Sequence, residues 1–143
     1  MNAAPTFVDK GDVAGFELAA HALIASAFRE DPEIISIVLS NRQGLPIVSE
    51  TRENPSTTPT LAAMGTMCIG AARRAAEALA LPAPERLVVS TPEANLFVVA
   101  TEGSQVCLVA RVEPNDDLSR CSLVLHDLCS MLVRLIRGEG YSE

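Results

Sequence analysis

Residues Thr58 to Ala80 read TPTLAAMGTMCIGAARRAAEALA, and the spacing of their apolar side chains decides what must surround them. Plotted at 100 degrees per residue, Leu61, Cys68, Ala72, Ala76 and Leu79 form one stripe suited to lying on a sheet. The segment predicts a helix capped by Thr58, with Pro59 at its first position, running to about Ala80, before Pro82 and Pro84. A second apolar stripe, Met64, Met67, Ala71, Ala75 and Ala78, lies beside the first, and the polar residues Thr66, Arg73, Arg74 and Glu77 are squeezed into roughly a third of the circumference. One sheet contact does not use that much apolar surface. Small residues at Gly65, Gly70, Ala71, Ala75 and Ala78 would let another backbone approach closely, at the low end of the interaxial range of about 8 to 10 Å. The simplest partner is a second copy of the same helix.

On the N-terminal side, Asp12 can cap a helix whose apolar positions Phe16, Ala20, Leu23, Ile24, Ala27 and Phe28 recur at threes and fours, ending before Pro32. Ile34 to Ser40 is a short β-branched run, followed by the turn Asn41, Arg42, Gln43, Gly44 and a second short strand, Leu45 to Ser49. Glu50 to Thr60 is a loop rich in Ser, Thr, Asn and Pro. On the C-terminal side, Arg86 to Thr91, Leu96 to Thr101 and Val106 to Val112 read as a meander, interrupted at Pro92 to Asn95 and Glu102 to Gln105. Pro114 to Asp117 open a last helix, where Leu118, Cys121, Leu125, Leu128, Leu132 and Leu135 repeat until Gly138. The order is α-β-β-α-β-β-β-α. It implies a mixed α/β (α+β) three-layer sandwich around a five-stranded antiparallel sheet covered on both faces.

The domain is expected to span residues 12–137, between a flexible tail over 1–11 and a short tail over 138–143. The first and last helices have one-sided apolar faces and are the natural cover for one side of the sheet, which leaves the middle helix alone on the other. A symmetric dimer would bury its spare stripe and pair an open sheet edge, for which the uncharged run Leu87, Val88, Val89, Ser90 and Thr91 is the candidate.

The 143 residues allow one domain, and 48% hydrophobic against 20% charged residues excludes disorder for the bulk of the chain. Eleven Lys and Arg against eighteen Asp and Glu give a net charge of −7, which argues against nucleic acid as a partner. No apolar run approaches the roughly 18 residues that cross a bilayer, and residues 1 to 15 hold no block of signal-peptide length, so a soluble cytoplasmic protein is expected. Cys68, Cys107, Cys121 and Cys129 lie in apolar periodic segments without a CxxC pair and read as reduced core residues.

No phosphate-binding loop, dinucleotide fingerprint, HExxH or GxSxG occurs. His126 and Asp127 point about 100 degrees apart on a helix and do not share a site. Cys121 and Cys129 lack a second pair to complete a tetrahedral metal set. Asp31 and Glu33 flank Pro32 as a solvated helix exit, with nothing nearby to separate their pKa values. No catalytic residue, metal or cofactor is expected. Arg73 and Arg74, with Arg42 and the loop around Glu53 to Thr58, are candidates to edge a surface for an acidic partner.

From about Phe16 to Ile136 the chain resembles the Roadblock/LC7 family, which includes dynein light chains and bacterial gliding-protein partners. The resemblance rests on the element order and on three local cues. These are Ile37 to Ser40 followed by Gln43, Gly44, Leu45, Pro46 and Ile47; Leu61, Ala62, Ala63 and Met64 opening the middle helix; and the meander ending in Val106 to Val112. It departs in having Gln43 where the family often has Asp, and in the length of the Glu50 to Thr60 loop. The resemblance implies a profilin-like fold and a homodimer, or a heterodimer with a related subunit, with third strands paired edge to edge and middle helices packed antiparallel. It also implies a non-enzymatic regulator or scaffold that binds a small Ras-like GTPase and modulates its nucleotide cycle. The competing reading is a small-molecule-sensing domain of similar architecture. A sensor needs converging polar groups, whereas the inner positions of the meander are Val, Leu, Phe and Ala.

Overall fold

Each apolar-periodic segment becomes a regular element. A computed structural model describes residues 10–100, 105–115 and 117–138. It places α1 at Lys10–Glu30, β1 at Ile34–Asn41, β2 at Pro46–Thr51, α2 at Thr58–Ala78, β3 at Arg86–Ser90, β4 at Asn95–Val99, β5 at Val106–Val112 and α3 at Ser119–Ile136. The order matches the expectation. Thr101, the turn at 102–104, Asp116 and most of the expected tails lie outside the described residues. Among the described residues no helix is long and apolar enough to cross a membrane.

The strands form one antiparallel sheet in the order β2-β1-β5-β4-β3. Its two faces follow from the two-residue period of a strand. Ile37, Leu39, Phe97, Val99, Leu108 and Ala110 point to one side, where Phe16, Ala20 and Ile24 of α1 meet Leu125, Leu128 and Leu132 of α3. Val38, Val98, Val109 and Cys107 point to the other, where, among the described residues, α2 packs through Ala62 and Ile69. Side chains such as Ile24, Phe97 and Leu125 are fully buried, each stabilising the fold by about 1.5 to 3 kcal/mol. The larger core is therefore under α1 and α3.

Element ends differ from the expectation in ways that local hydrogen bonding explains. α1 begins at Lys10, so Asp12 stands inside it rather than at its cap. α2 begins at Thr58, and the cap position, Thr57, makes no side-chain cap bond. A single 3-10 turn, Pro55–Thr57, leads straight into α2, and its own cap is Asn54, whose Oδ1 accepts from Ser56 N at 2.9 Å. The capping function thus sits one turn upstream of Thr58. α2 ends at Ala78, ahead of both prolines: Leu81 N donates to Ala76 O at 2.8 Å and Ala80 N to Glu77 O at 3.1 Å. This is a Schellman closure, with Ala80 at φ +59 in the position that glycine favours. Before α3, Asp117 Oδ1 accepts from Ser119 N and Oγ, which holds its carboxyl below the usual range.

Asp31 is buried rather than solvated. It closes the α1–β1 connection by accepting from Glu33 N at 3.1 Å, while Glu33 Oε1 accepts from Asn115 Nδ2 at 2.8 Å. Glu33 thereby ties the α1–β1 connection to the β5–α3 loop. Of the cysteines, Cys107, Cys121 and Cys129 are buried and Cys68 is half-buried, all as free thiols.

A candidate binding surface on the second helix

The face of α2 that meets the sheet is centred on Gly65. Ala62, Gly65 and Ile69 are its buried positions, whereas Leu79 of the expected sheet-facing stripe is 69% exposed and Cys68 is only half-buried. A period of 100 degrees fixes the spacing of a stripe but not its angular phase. Gly65 settles the phase: a Cβ there would stand 2.4 Å from Val109 Cγ2, so the glycine brings α2 close to its own sheet and not to a second helix. Thr66 also turns inward, its Oγ1 lying 3.0 Å from Ser40 Oγ and 3.5 Å from Cys107 Sγ.

The second stripe is left uncovered by the other described residues. Met64 and Met67 are 45% and 64% exposed, and Ala71, Ala75 and Ala78 continue the exposed line towards Leu79 and Leu81. Next to α2 stands the sheet edge β3, where Val88 and Val89 are also exposed, as is Ser90. Leu87 differs, packing partly beneath α2. Among the described residues no strand pairs with the outer side of β3, and its register is defined. Ala100 N donates to Glu85 O and Thr91 N to Ala94 O, and Leu87 pairs with Val98 and Val89 with Leu96. Odd-numbered residues therefore bond to β4, and the backbone groups of Arg86, Val88 and Ser90 point outward.

The five residues expected to edge a partner surface fall into two groups. Arg42 and Arg73 line one cleft of about 430 Å³ between the β1–β2 turn and α2. Arg74 joins Arg73, Glu77 and Leu81 in the neighbouring depression. Glu53 and Thr58 lie at the other end of α2, some 15 residues or about 22 Å along the helix axis from Arg73. Glu53 is engaged there: its Oε2 is 3.2 Å from Arg111 Nη1, and Ser36 Oγ donates to it at 3.4 Å. Sequence reasoning misses Arg111, although a lone charge inside the Val-rich β5 is the available signal. His126 borders a shallow cleft with Arg86, whose Nη1 donates to Ser122 Oγ at 2.6 Å.

Arg42 is held by a tightly bonded turn. Asn41 Oδ1 accepts from Gln43 N at 2.9 Å and Leu45 N at 3.0 Å, and Gly44, at φ +82, sits against Ala63 of α2. Burial pushes the Cys107 thiol up, against smaller opposing effects of its Thr66 contact and the Arg73 charge. The floor of the cleft is thus uncharged at neutral pH and its rim is cationic.

No family model matches the chain, and no curated protein matches it. Solved structures do. An MglB described in a tetrameric arrangement is 18% identical with a TM-score of 0.77, over 86% of this chain and 91% of that one. The gliding protein MglB from Thermus thermophilus is 18% identical with a TM-score of 0.76, over 86% and 92%. A Roadblock/LC7 domain from Streptomyces avermitilis is 25% identical with a TM-score of 0.66, over 81% and 92%.

Proposed function

We propose that this chain, which has the MglB-like Roadblock/LC7 fold, is a non-enzymatic dimeric regulator or scaffold. In this reading it acts in the cytoplasm, binding a small Ras-like GTPase and modulating its nucleotide cycle. The observation that carries the reading is the uncovered line Met64, Met67, Ala71, Ala75, Ala78 beside the open edge of β3. Monomeric proteins seldom leave such a combination bare, because the apolar stripe and the unpaired strand invite association. A second copy related by a two-fold axis answers both: α2 packs on α2, and Leu87, Val88, Val89 and Ser90 pair with the same strand of the partner. A stable contact of this kind buries about 800 Å² per subunit. The tetrameric arrangement of one MglB structure supports a face that assembles.

The partner surface lies on the α2 side of the dimer, edged by Arg42, Arg73 and Arg74, cations in a chain whose net charge is −7. Glu53 and Thr58 belong to its far end. Such charges steer an acidic partner and set its orientation more than they add affinity. Light scattering at micromolar concentration should give twice the single-chain mass of 15.1 kDa. Charge reversal at Arg73 and Arg74 should weaken capture of a nucleotide-loaded GTPase by about tenfold or more while the dimer mass is unchanged. A single-chain mass, or undiminished capture by the reversed variant, would refute the reading.

A further inference from the structure

We infer that the cleft between the β1–β2 turn and α2 is a binding site for a small molecule carrying an oxyanion, a phosphate or carboxylate group, held between Arg42 and Arg73. The inference stands on the cleft alone and does not depend on the GTPase reading. Its two guanidinium groups come from separate elements that are braced against each other. The Asn41 cage fixes the turn that carries Arg42, and Gly44 seats that turn on Ala63. Arg73 stands two helical turns beyond Thr66 on the same side of α2, and the stretch between contributes Ile69 and Gly70 to the lining.

Among the described residues neither arginine has a carboxylate partner, unlike Arg111, which pairs with Glu53. An anion seated in the cleft would be attracted by the like charges of both Arg42 and Arg73, above a floor that carries none. The planar fork of a guanidinium fits phosphate and carboxylate oxygens in paired hydrogen bonds. At about 430 Å³ the cleft is larger than a bare phosphate needs and within the roughly 300 to 1,000 Å³ usual for small-molecule sites. Gln105 adds a polar amide to the rim. The ligand class is therefore a phosphorylated or polycarboxylate metabolite-sized molecule.

The test titrates the isotope-labelled full chain with sodium phosphate and, separately, sodium citrate, each against sodium chloride of equal ionic strength. Saturable amide shifts at Arg42, Gly70 and Gln105 are expected for at least one of the two anions, and the tighter one identifies the group preferred. The double variant Arg42→Gln with Arg73→Gln should bind about tenfold more weakly or worse, as loss of charge-assisted bonds requires, whereas Arg29→Gln, in the last turn of α1 and away from the cleft, should bind as the parent does. Both arginines lie at the surface, and an otherwise unchanged amide spectrum in the variants verifies their fold. Shifts equal to those in chloride, or equal affinity in the double variant, would overturn the inference. So would saturation by a polyglutamate peptide alone, which would make the cleft a contact for an acidic protein segment.

Discussion

Gly65 shows how one missing methyl group sets the packing of a whole helix. Its absent Cβ is where Val109 Cγ1 and Cγ2 stand, 2.6 and 2.4 Å from the ideal Cβ position. Gly65→Ala should destabilise the chain by about 1 to 3 kcal/mol in urea unfolding, the usual cost of overpacking a core. Adding Val109→Ala should return part of that loss, because the two sites share one space and their effects are not additive. Ala80 carries the opposite lesson. It adopts φ +59 to close α2, a conformation in which a Cβ costs roughly 1 to 2 kcal/mol. Ala80→Gly should raise stability by up to about 1 kcal/mol, the gain being smaller than the strain because glycine also loosens the unfolded chain. A fall in the urea midpoint would contradict that account.

At the scale of elements, α2 and β3 are neighbours that the other described residues leave partly uncovered. The helix has a buried line of Ala62, Gly65 and Ile69 and an exposed line from Met64 to Ala78. The strand has its inner bonds on odd residues and its outer groups on even ones. Val88→Pro removes one outward N–H and none of the bonds to β4, so proline is tolerable there as on any edge strand. The variant should keep its fold, with stability changed by no more than about 1 kcal/mol. If the chain pairs through β3 as proposed, the variant's dimer should dissociate at about tenfold higher concentration or above, read by sedimentation. A dimer as tight as the parent's would mean that β3 does not pair across the two-fold axis.

At the scale of the molecule, α1 and α3 enclose one face of the sheet with a full core, while among the described residues α2 alone covers the other. That asymmetry is the reason to expect a second subunit on the α2 side. Met67, 64% exposed in one chain, should accept glutamate without loss of stability if nothing covers it. In a dimer packed through α2, Met67→Glu buries a charge at the contact and should reduce the mass in solution to that of one chain, 15.1 kDa. Retention of the double mass would move the interface elsewhere. Raising salt should weaken partner capture more than it weakens the dimer, since screening acts on exposed charges such as Arg74 and not on apolar contacts.

The order of elements, the layer count and the excess apolar surface of α2 were written in the local sequence, because periods of 2 and 3.6 and the turn residues Asn41 and Gly44 depend only on near neighbours. The sheet-facing phase of α2 was not, nor the inward turn of Thr66, the burial of Asp31, the Glu53–Arg111 pair or the convergence of Arg42 with Arg73. Each of these joins segments far apart in the chain, such as Glu53 and Arg111, 58 residues distant. Linear order sets what each segment can bury, but which long-range neighbours meet is fixed only when the sheet assembles in the order β2-β1-β5-β4-β3 and a helix docks on it.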